Sequence, residues 1–70
     1  MDFITAQTIE DKEKFKKYDY YFYDENGLII VEVYVNGQMK QRRPPINLQE
    51  TIKKYGKHFP ELERIFKDKL

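Results

Sequence analysis

Two Asn-Gly pairs, Asn26-Gly27 and Asn36-Gly37, limit how this chain folds more than any other feature. Both lie within a segment from Tyr18 to Arg43 that is rich in tyrosine and β-branched residues. Asn-Gly supplies the positive φ angles that tight hairpin turns require. Because alternating apolar residues flank both pairs, the pattern predicts a three-stranded antiparallel meander.

The first two strands are predicted at about Tyr18–Asp24 and Leu28–Val35, and their register has two solutions. A three-residue bulged loop puts Tyr21 and Tyr23 on the core face. A two-residue turn at Asn26-Gly27 pairs Glu25 with Leu28. That register places a different set on the core face: Tyr18, Tyr20, Phe22, Ile29, Val31, Val33 and Val35.

For the second turn, a two-residue loop would point Gln38, Lys40 and Arg42 at the core. A three-residue bulged loop brings Met39 into the core and sets Glu32 opposite Lys40, which is the better chemistry, so we predict the bulged loop. Pro44-Pro45 then ends the third strand, since neither residue can donate to a ladder.

Helices are predicted on both sides of the meander. Residues 1–7 are predicted as a lead-in, with a short strand around Phe3-Ile4 as an alternative, and Thr8 is the N-cap of a helix at Ile9–Lys17. After the meander, Asn47 caps a helix at roughly 48–55 and Gly56 is its C′ residue. A second helix covers roughly 60–69, with Leu62, Ile65, Phe66 and Leu70 on its inner face. The whole is a single α+β domain, residues 1–70, with (α)βββαα order.

The composition favours a binding protein over an enzyme. The chain has no serine, no cysteine and a single histidine, which leaves no serine–histidine–aspartate site and almost nothing to hold zinc. Its three glycines are isolated, so no phosphate-binding loop is present. We expect no cofactor and no metal. The sequence offers neither a signal peptide nor a membrane span, which predicts a cytoplasmic protein without a membrane partner.

Tyrosine residues mark the first candidate binding surface. With the two-residue first turn, the sheet face away from the core is more apolar than a solvated face should be. Such a patch suggests a protein interface or a homodimer seam, unless the N-terminal helix covers it. Adding one tyrosine from the first C-terminal helix, the predicted partner-binding residues are Tyr21, Tyr23, Ile30, Tyr34 and Tyr55.

Basic residues mark an alternative site. Residues 1–35 contain four lysines and eight acids, whereas residues 36–70 contain nine basic residues and four acids. A basic stripe read together with nearby aromatic rings suggests a nucleic-acid-binding protein, although nucleic acid is the less favoured partner. The residues of this alternative are Lys40, Arg42, Arg43, Lys53 and Lys54.

Five features of the C-terminal half carry a family resemblance: Leu48, the pair Tyr55-Gly56, Glu61, Asp68-Lys69, and the apolar residues between them. Over roughly Ile46 to Lys69 the chain resembles the uracil-DNA glycosylase inhibitors of small Bacillus phages. The resemblance implies a phage or mobile-element inhibitor that binds a host enzyme stoichiometrically, with uracil-DNA glycosylase as the candidate target.

The same resemblance implies a dimer that mimics DNA and captures a loop of the enzyme in an apolar pocket. The family carries an adjacent aromatic and acidic residue in the helix before the Tyr-Gly pair. Thr51 and Ile52 stand there in this chain, so only Tyr55 carries over. The family is also acidic, whereas this chain has a net charge of +1. The resemblance therefore implies the general type of protein, which is a compact inhibitor that occupies the surface of an enzyme.

Overall fold

The computed structural model describes residues 1–69, which form a four-stranded antiparallel sheet followed by two helices. The α+β class is as predicted, but the order is ββββαα, with one more strand than expected and no N-terminal helix. The strands are adjacent in chain order. The elements are β1 (Asp2–Asp11), β2 (Lys16–Glu25), β3 (Leu28–Val35), β4 (Gln38–Arg42), α1 (Leu48–Tyr55) and α2 (Leu62–Lys69). Leu70, expected on the inner face of the last helix, lies outside the described residues.

The prediction of an N-terminal helix at Ile9–Lys17 is wrong, because these residues belong to β1, to a turn and to the start of β2. Thr8, the expected N-cap, instead donates its hydroxyl to Asp19 Oδ1 on β2, at 2.7 Å. A helix here would bury few apolar side chains. Pairing with β2 satisfies a row of backbone groups and sets acidic residues of β1 opposite lysines of β2.

Both Asn-Gly pairs form two-residue turns with positive φ at both central positions, as a type I′ turn requires. The φ angles are 55° and 85° at Asn26 and Gly27, and 50° and 84° at Asn36 and Gly37. In the first hairpin Glu25 pairs with Leu28, which is the two-residue register. The predicted bounds of β3 are confirmed.

The three-residue loop predicted for the second hairpin is wrong. Val35 pairs with Gln38, and the register shifts only afterwards, so that Lys40 is the extra residue of a β-bulge. Had the register continued unbroken, Arg42 would lie over the core. The bulge moves Arg42 to the opposite face, where it pairs with Glu32. Met39, expected in the core, is 53% exposed on that same face.

The C-terminal helices follow their local signals closely. The side chain of Asn47 accepts a hydrogen bond from the backbone N–H of Glu50 at 2.8 Å, which confirms the predicted N-cap. Gly56 follows α1 as expected, but in a right-handed conformation. There a Cβ would collide with the carbonyl oxygen of Ile52. The second helix begins at Leu62, two residues later than predicted. No helix within residues 1–69 has the length and apolar character to cross a membrane.

Phe22 stands at the centre of a core that lies between the sheet and the two helices. Its ring centroid is 5.5 Å from that of Tyr55, 6.0 Å from Phe66 and 6.2 Å from Phe59. Ile29 and Ile46 exchange two backbone hydrogen bonds of 2.7 and 3.0 Å, which tie the segment before α1 to β3. The buried cluster consists of Ile4, Phe22, Ile29, Val31, Tyr55, Phe59, Leu62 and Phe66. Both helices therefore pack on the same face of the sheet.

Candidate functional site

The sheet face opposite the helices, called here the open face, brings together four of the five predicted partner-binding residues. Strand alternation and the observed registers assign Tyr21, Tyr23, Ile30 and Tyr34 to this face. The segment expected to form a covering helix, Ile9–Lys17, instead contributes to β1, to the following turn and to the start of β2. The apolar and aromatic surface of the open face is supplied by Phe3, Tyr21, Tyr23, Leu28, Ile30, Tyr34 and Met39.

The aromatic rings on the open face form a connected row across three strands. The ring centroid of Phe3 is 5.9 Å from that of Tyr23 and 6.3 Å from that of Tyr21, and Tyr21 is 5.1 Å from Tyr34. Ile30, the direct cross-strand partner of Tyr23, is only 3% exposed. The rings thus bury an aliphatic floor while their own outer surfaces stay accessible, as the half-buried state of the tyrosines indicates.

A charged pair lies among these rings. Glu32 is only 9% exposed, and its Oε2 lies 3.8 Å from Nε of Arg42. Partial burial, followed by the neighbouring Glu32 carboxylate, raises the pKa of Tyr23 above its ordinary value. The phenol of Tyr23 therefore stays neutral and can donate a hydrogen bond at physiological pH. The charged residues on the open face are Glu10, Lys17, Asp19, Glu25, Glu32 and Arg42, which are mainly acidic.

Tyr55, the fifth predicted partner-binding residue, is on the other side of the sheet and belongs to the core. It is buried, and its ring packs edge-on against Tyr20 at 6.0 Å as well as against Phe22. Burial raises the pKa of Tyr55, while the nearby Arg43 guanidinium opposes that shift. Tyr55 and the open-face tyrosines therefore cannot contact one partner surface together.

A groove runs between β4 and α1 on the helix side, and we call it the basic groove. Its volume is about 320 Å³, and it is lined by Tyr18, Tyr20, Val33, Val35, Lys40, Gln41, Arg43, Lys54 and Tyr55. Three of the five predicted nucleic-acid-binding cations thus come together. Arg42 lies on the open face, and Lys53 is exposed on α1 outside the groove.

The basic groove is electrostatically one-sided. No acidic residue lines it. Lys40, Arg43 and Lys54 form no ion pair with an acid in the described part of the chain. The Lys54 ammonium lies 6.0 Å from the centroid of the Tyr55 ring. Three uncompensated cations beside phenol rings make a site that attracts anions.

The turn between β1 and β2 presents a feature that the sequence interpretation missed. Phe15 is 87% exposed and has a φ of 54°. Its carbonyl oxygen accepts from the side-chain nitrogen of Asn36 at 3.4 Å, and Asn36 Oδ1 accepts from the Lys17 N–H at 2.9 Å. The neighbouring hairpin therefore supports the backbone of this turn while the phenyl ring points away from the core.

Sequence reasoning also missed Phe3 on the open face, and Tyr18 and Tyr20 in the basic groove. A short strand around Phe3-Ile4 is one of the two sequence predictions for this segment, but that prediction does not assign Phe3 to a face of the sheet. One of the two registers predicted for the first hairpin places Tyr18 and Tyr20 on the core face, and that register is the observed one. The helix side covers that end only in part: Tyr20 packs against Tyr55 and Phe59, and both Tyr18 and Tyr20 line the groove.

No set of three or more histidine, aspartate or glutamate side chains in residues 1–69 is arranged to hold a metal ion. Comparison of the chain with protein-family models, with curated proteins and with solved structures found no match. The resemblance to the glycosylase inhibitors therefore depends on the residues quoted for it and stays a prediction.

Proposed function

We propose that this protein is a small binding module that acts by covering a surface of another protein with its open face. The observation that carries the proposal is the row of aromatic rings on a sheet face that no helix covers within residues 1–69. A solvated face of an antiparallel sheet is normally polar, whereas Phe3 on this face is 56% exposed and Met39 is 53% exposed.

Tyrosine is well suited to such a surface. A phenol ring removes a large area from water on binding, and its hydroxyl stays soluble in the free protein. A few aromatic anchors of this kind usually supply most of the affinity of an interface. Tyr21 and Tyr34 contact each other near the middle of the open face, so they are the best candidates for these anchors.

The charges on the open face favour a partner with an apolar patch bordered by lysine or arginine. Carboxylates outnumber cations on the open face, so a basic border on the partner would be attracted to it. The partner's cations would also pair with these carboxylates, so that none would be buried unpaired in the complex. A DNA-processing enzyme presents such a surface, and the family resemblance suggests uracil-DNA glycosylase as the first one to test. The protein would then inhibit its target by stoichiometric occupation of a surface.

The test is a binding and inhibition assay with purified uracil-DNA glycosylase, alongside a pull-down from a nuclease-treated bacterial lysate. The variant is Tyr21→Ser combined with Tyr34→Ser. The matched control is Glu61→Ser combined with Lys67→Ser, two exposed positions at or near α2 on the helix side.

Loss of a stoichiometric complex in the tyrosine variant, with the control unaffected, supports the open face as the interface. Inhibition of the glycosylase by the wild-type protein supports that target. A complex that survives the tyrosine substitutions contradicts the proposal. Sedimentation analysis covers the case of a second copy as the partner, because a dimer through the open face would dissociate in the tyrosine variant.

A further inference from the structure

We propose that the basic groove binds single-stranded nucleic acid, with phosphates on Lys40, Arg43 and Lys54 and a base against the tyrosine rings. The groove lies on the helix side of the sheet, so this activity is separate from the open face. Three features of the basic groove support the inference: the uncompensated charge, the phenol rings and the shape of the groove.

The charge selects an anionic ligand. Lys40 lies on β4, Arg43 directly follows that strand and Lys54 lies on α1, and all three line the same groove. Holding three like charges around one cavity is unfavourable unless a ligand or salt neutralises them. A phosphate backbone does so at regular spacing, and it releases its own counterions when it binds.

The rings select a nucleic acid over other polyanions. Tyr18 and Tyr20 are half-buried and line the groove together with the aliphatic side chains of Val33 and Val35. An aromatic ring stacks on any base, and such stacking contributes about 1–3 kcal/mol per base. The Asp and Glu side chains of an acidic peptide would satisfy the cations, but they present no flat apolar group to this surface, whereas every nucleotide carries one.

The shape selects a single strand. Residues of β2, β3, β4 and α1 line the groove together, so a flat group that contacts the tyrosine rings has to enter it. In a duplex the faces of each base are covered by its neighbours, whereas an unpaired base exposes its faces. A groove of about 320 Å³ is at the small end of the range for ligand sites, which fits one or two nucleotides rather than a helix.

The chain provides an unusually close control, because each of two groove cations has a neighbour of the same charge outside the groove. Arg43 lines the groove and Arg42 lies on the open face. Lys54 lines the groove and Lys53 is exposed outside it. The test variant is therefore Arg43→Ala with Lys54→Ala, and the control is Arg42→Ala with Lys53→Ala. Both lower the net charge of the protein equally.

Binding is measured by fluorescence anisotropy with a labelled oligothymidylate of about ten nucleotides, a length within the usual site sizes. Three phosphate contacts on a single strand predict that log K falls with log salt with a slope of about −2. We expect the groove variant to bind about tenfold more weakly, with a slope of about −0.7. The control is expected to keep the wild-type slope and to lose less than about threefold.

Circular dichroism and thermal unfolding establish that both variants are folded before binding is compared. Tyr18→Ser tests stacking separately, and it is expected to weaken binding to the oligothymidylate but not to inorganic polyphosphate. The Tyr21→Ser, Tyr34→Ser variant of the open face is expected to bind the oligonucleotide like the wild type, so the failure of one proposal does not imply the failure of the other.

Several outcomes would overturn the inference. The first is equal weakening in the groove and control variants, which would mean that only the net charge matters. The second is no binding by the wild type at low salt. Competition by duplex DNA or by polyglutamate as effective as competition by the single strand would also reject it, and the polyglutamate result would identify an acidic peptide site instead.

Discussion

The two faces of β2 and β3 are built from alternate residues of the same strands, yet they differ in kind. On the helix side, Phe22, Ile29 and Val31 are almost completely removed from water. On the open face, Tyr21, Tyr23 and Tyr34 are only half-buried, and a glutamate–arginine pair lies among their rings. The difference follows from the side chains, since phenylalanine and aliphatic residues lose most from exposure to water and tyrosine tolerates it.

The comparison shows that this chain of 70 residues builds its core on one side of the sheet and leaves the aromatic rings of the other side accessible. The core on the helix side needs both helices to close it. The open face buries only the small floor around Ile30 and leaves its rings available. Small domains have little stability to spare, so core and surface substitutions are expected to separate clearly.

The largest effect on stability is expected at Phe22, and it is compared with the effect at Tyr21, the adjacent residue of β2. Phe22→Ala should lower the free energy of unfolding by about 3–5 kcal/mol, because it empties the centre of the core. Tyr21→Ala should cost about 1–2 kcal/mol, since it removes half-buried contacts with Phe3 and Tyr34. Chemical denaturation monitored by circular dichroism measures both.

Phe22→Ala is expected to leave much of the protein unfolded, so Phe22→Leu serves as a milder second variant. It should still destabilise the domain because leucine does not fill the space between the rings of Tyr55 and Phe66. If Tyr21→Ala proved as damaging as Phe22→Ala, the open face would be a second core, and its role in recognition would have to be abandoned.

The next comparison uses Arg42 and Arg43, adjacent residues whose side chains are assigned to opposite faces. Arg42→Met keeps an apolar stem but leaves the nearly buried Glu32 carboxylate without its cation, which should cost about 1 kcal/mol. Arg43→Met removes one of three like charges from the basic groove, so its stability should change by less than about 0.5 kcal/mol.

Thermal unfolding at low and high salt compares the stability of the two variants with that of the wild type. The stability lost in Arg42→Met should be smaller at high salt, because salt screens the Glu32–Arg42 ion pair of the wild type. Equal effects of the two substitutions would mean that the β-bulge at Lys40 does not separate the two arginines as the structure indicates.

A smaller effect is expected at Phe15, which belongs to neither face. A bulky residue with positive φ costs roughly 1 kcal/mol, and an exposed ring recovers little of it by packing. Phe15→Asn should therefore stabilise the protein by about 0.5–1 kcal/mol, since asparagine tolerates the left-handed region.

Lys14→Asn in the same turn is the control, because Lys14 does not have a positive φ. Both variants are compared with the wild type by chemical denaturation. A loss of stability in Phe15→Asn would mean that the phenyl ring makes contacts that stabilise the turn, contrary to its exposure.

The smallest effect is a dependence on alkaline pH. The pKa values of Tyr23, on the open face, and Tyr55, in the core, are raised above 10.0 in the folded protein. The unfolded chain therefore releases these protons first as the pH rises. The stabilisation from each tyrosine is complete below pH 10 and is lost as the pH rises through its folded pKa.

Tyr23→Phe and Tyr55→Phe should each flatten the fall of unfolding free energy above pH 10 and leave its pH dependence unchanged near neutrality. Denaturation at a series of pH values measures the slope. A slope in Tyr55→Phe that matches the wild type would show that the phenol of Tyr55 ionises equally easily in the folded and unfolded states.

Features with a local signal were predicted correctly from the sequence. The bounds of β3 and α1 followed from hydrophobic alternation and helical spacing, and the cap at Asn47 followed from its position before the helix. The strand bounds, the helix bounds and the cap each depend on a few neighbouring residues, so a single sequence contains the information. At Asn26-Gly27 the sequence left two registers open, and the structure selects the two-residue turn, which decides which tyrosines share a face.

Features that depend on distant partners were predicted wrongly. Residues 9–17 have little preference of their own, and they became strand and turn because β2 offered a free edge. In the observed register of β4, Arg42 pairs with Glu32 and does not face the core, and the irregularity lies inside the strand at Lys40 rather than in the turn. The separation of Tyr55 from the other tyrosines likewise needed the packing of α1 on the sheet.

By itself, then, the sequence determined the α+β class, the position of a turn at each Asn-Gly pair and the alternation that divides the tyrosine-rich strands into two faces. Tertiary structure alone decided that both helices pack on one face and that three separate cations meet in a groove. Turns and alternation arise from backbone conformation and side-chain period, which are local. The covering of a face and the meeting of charges arise from contacts between distant segments, and only the folded chain selects among these contacts.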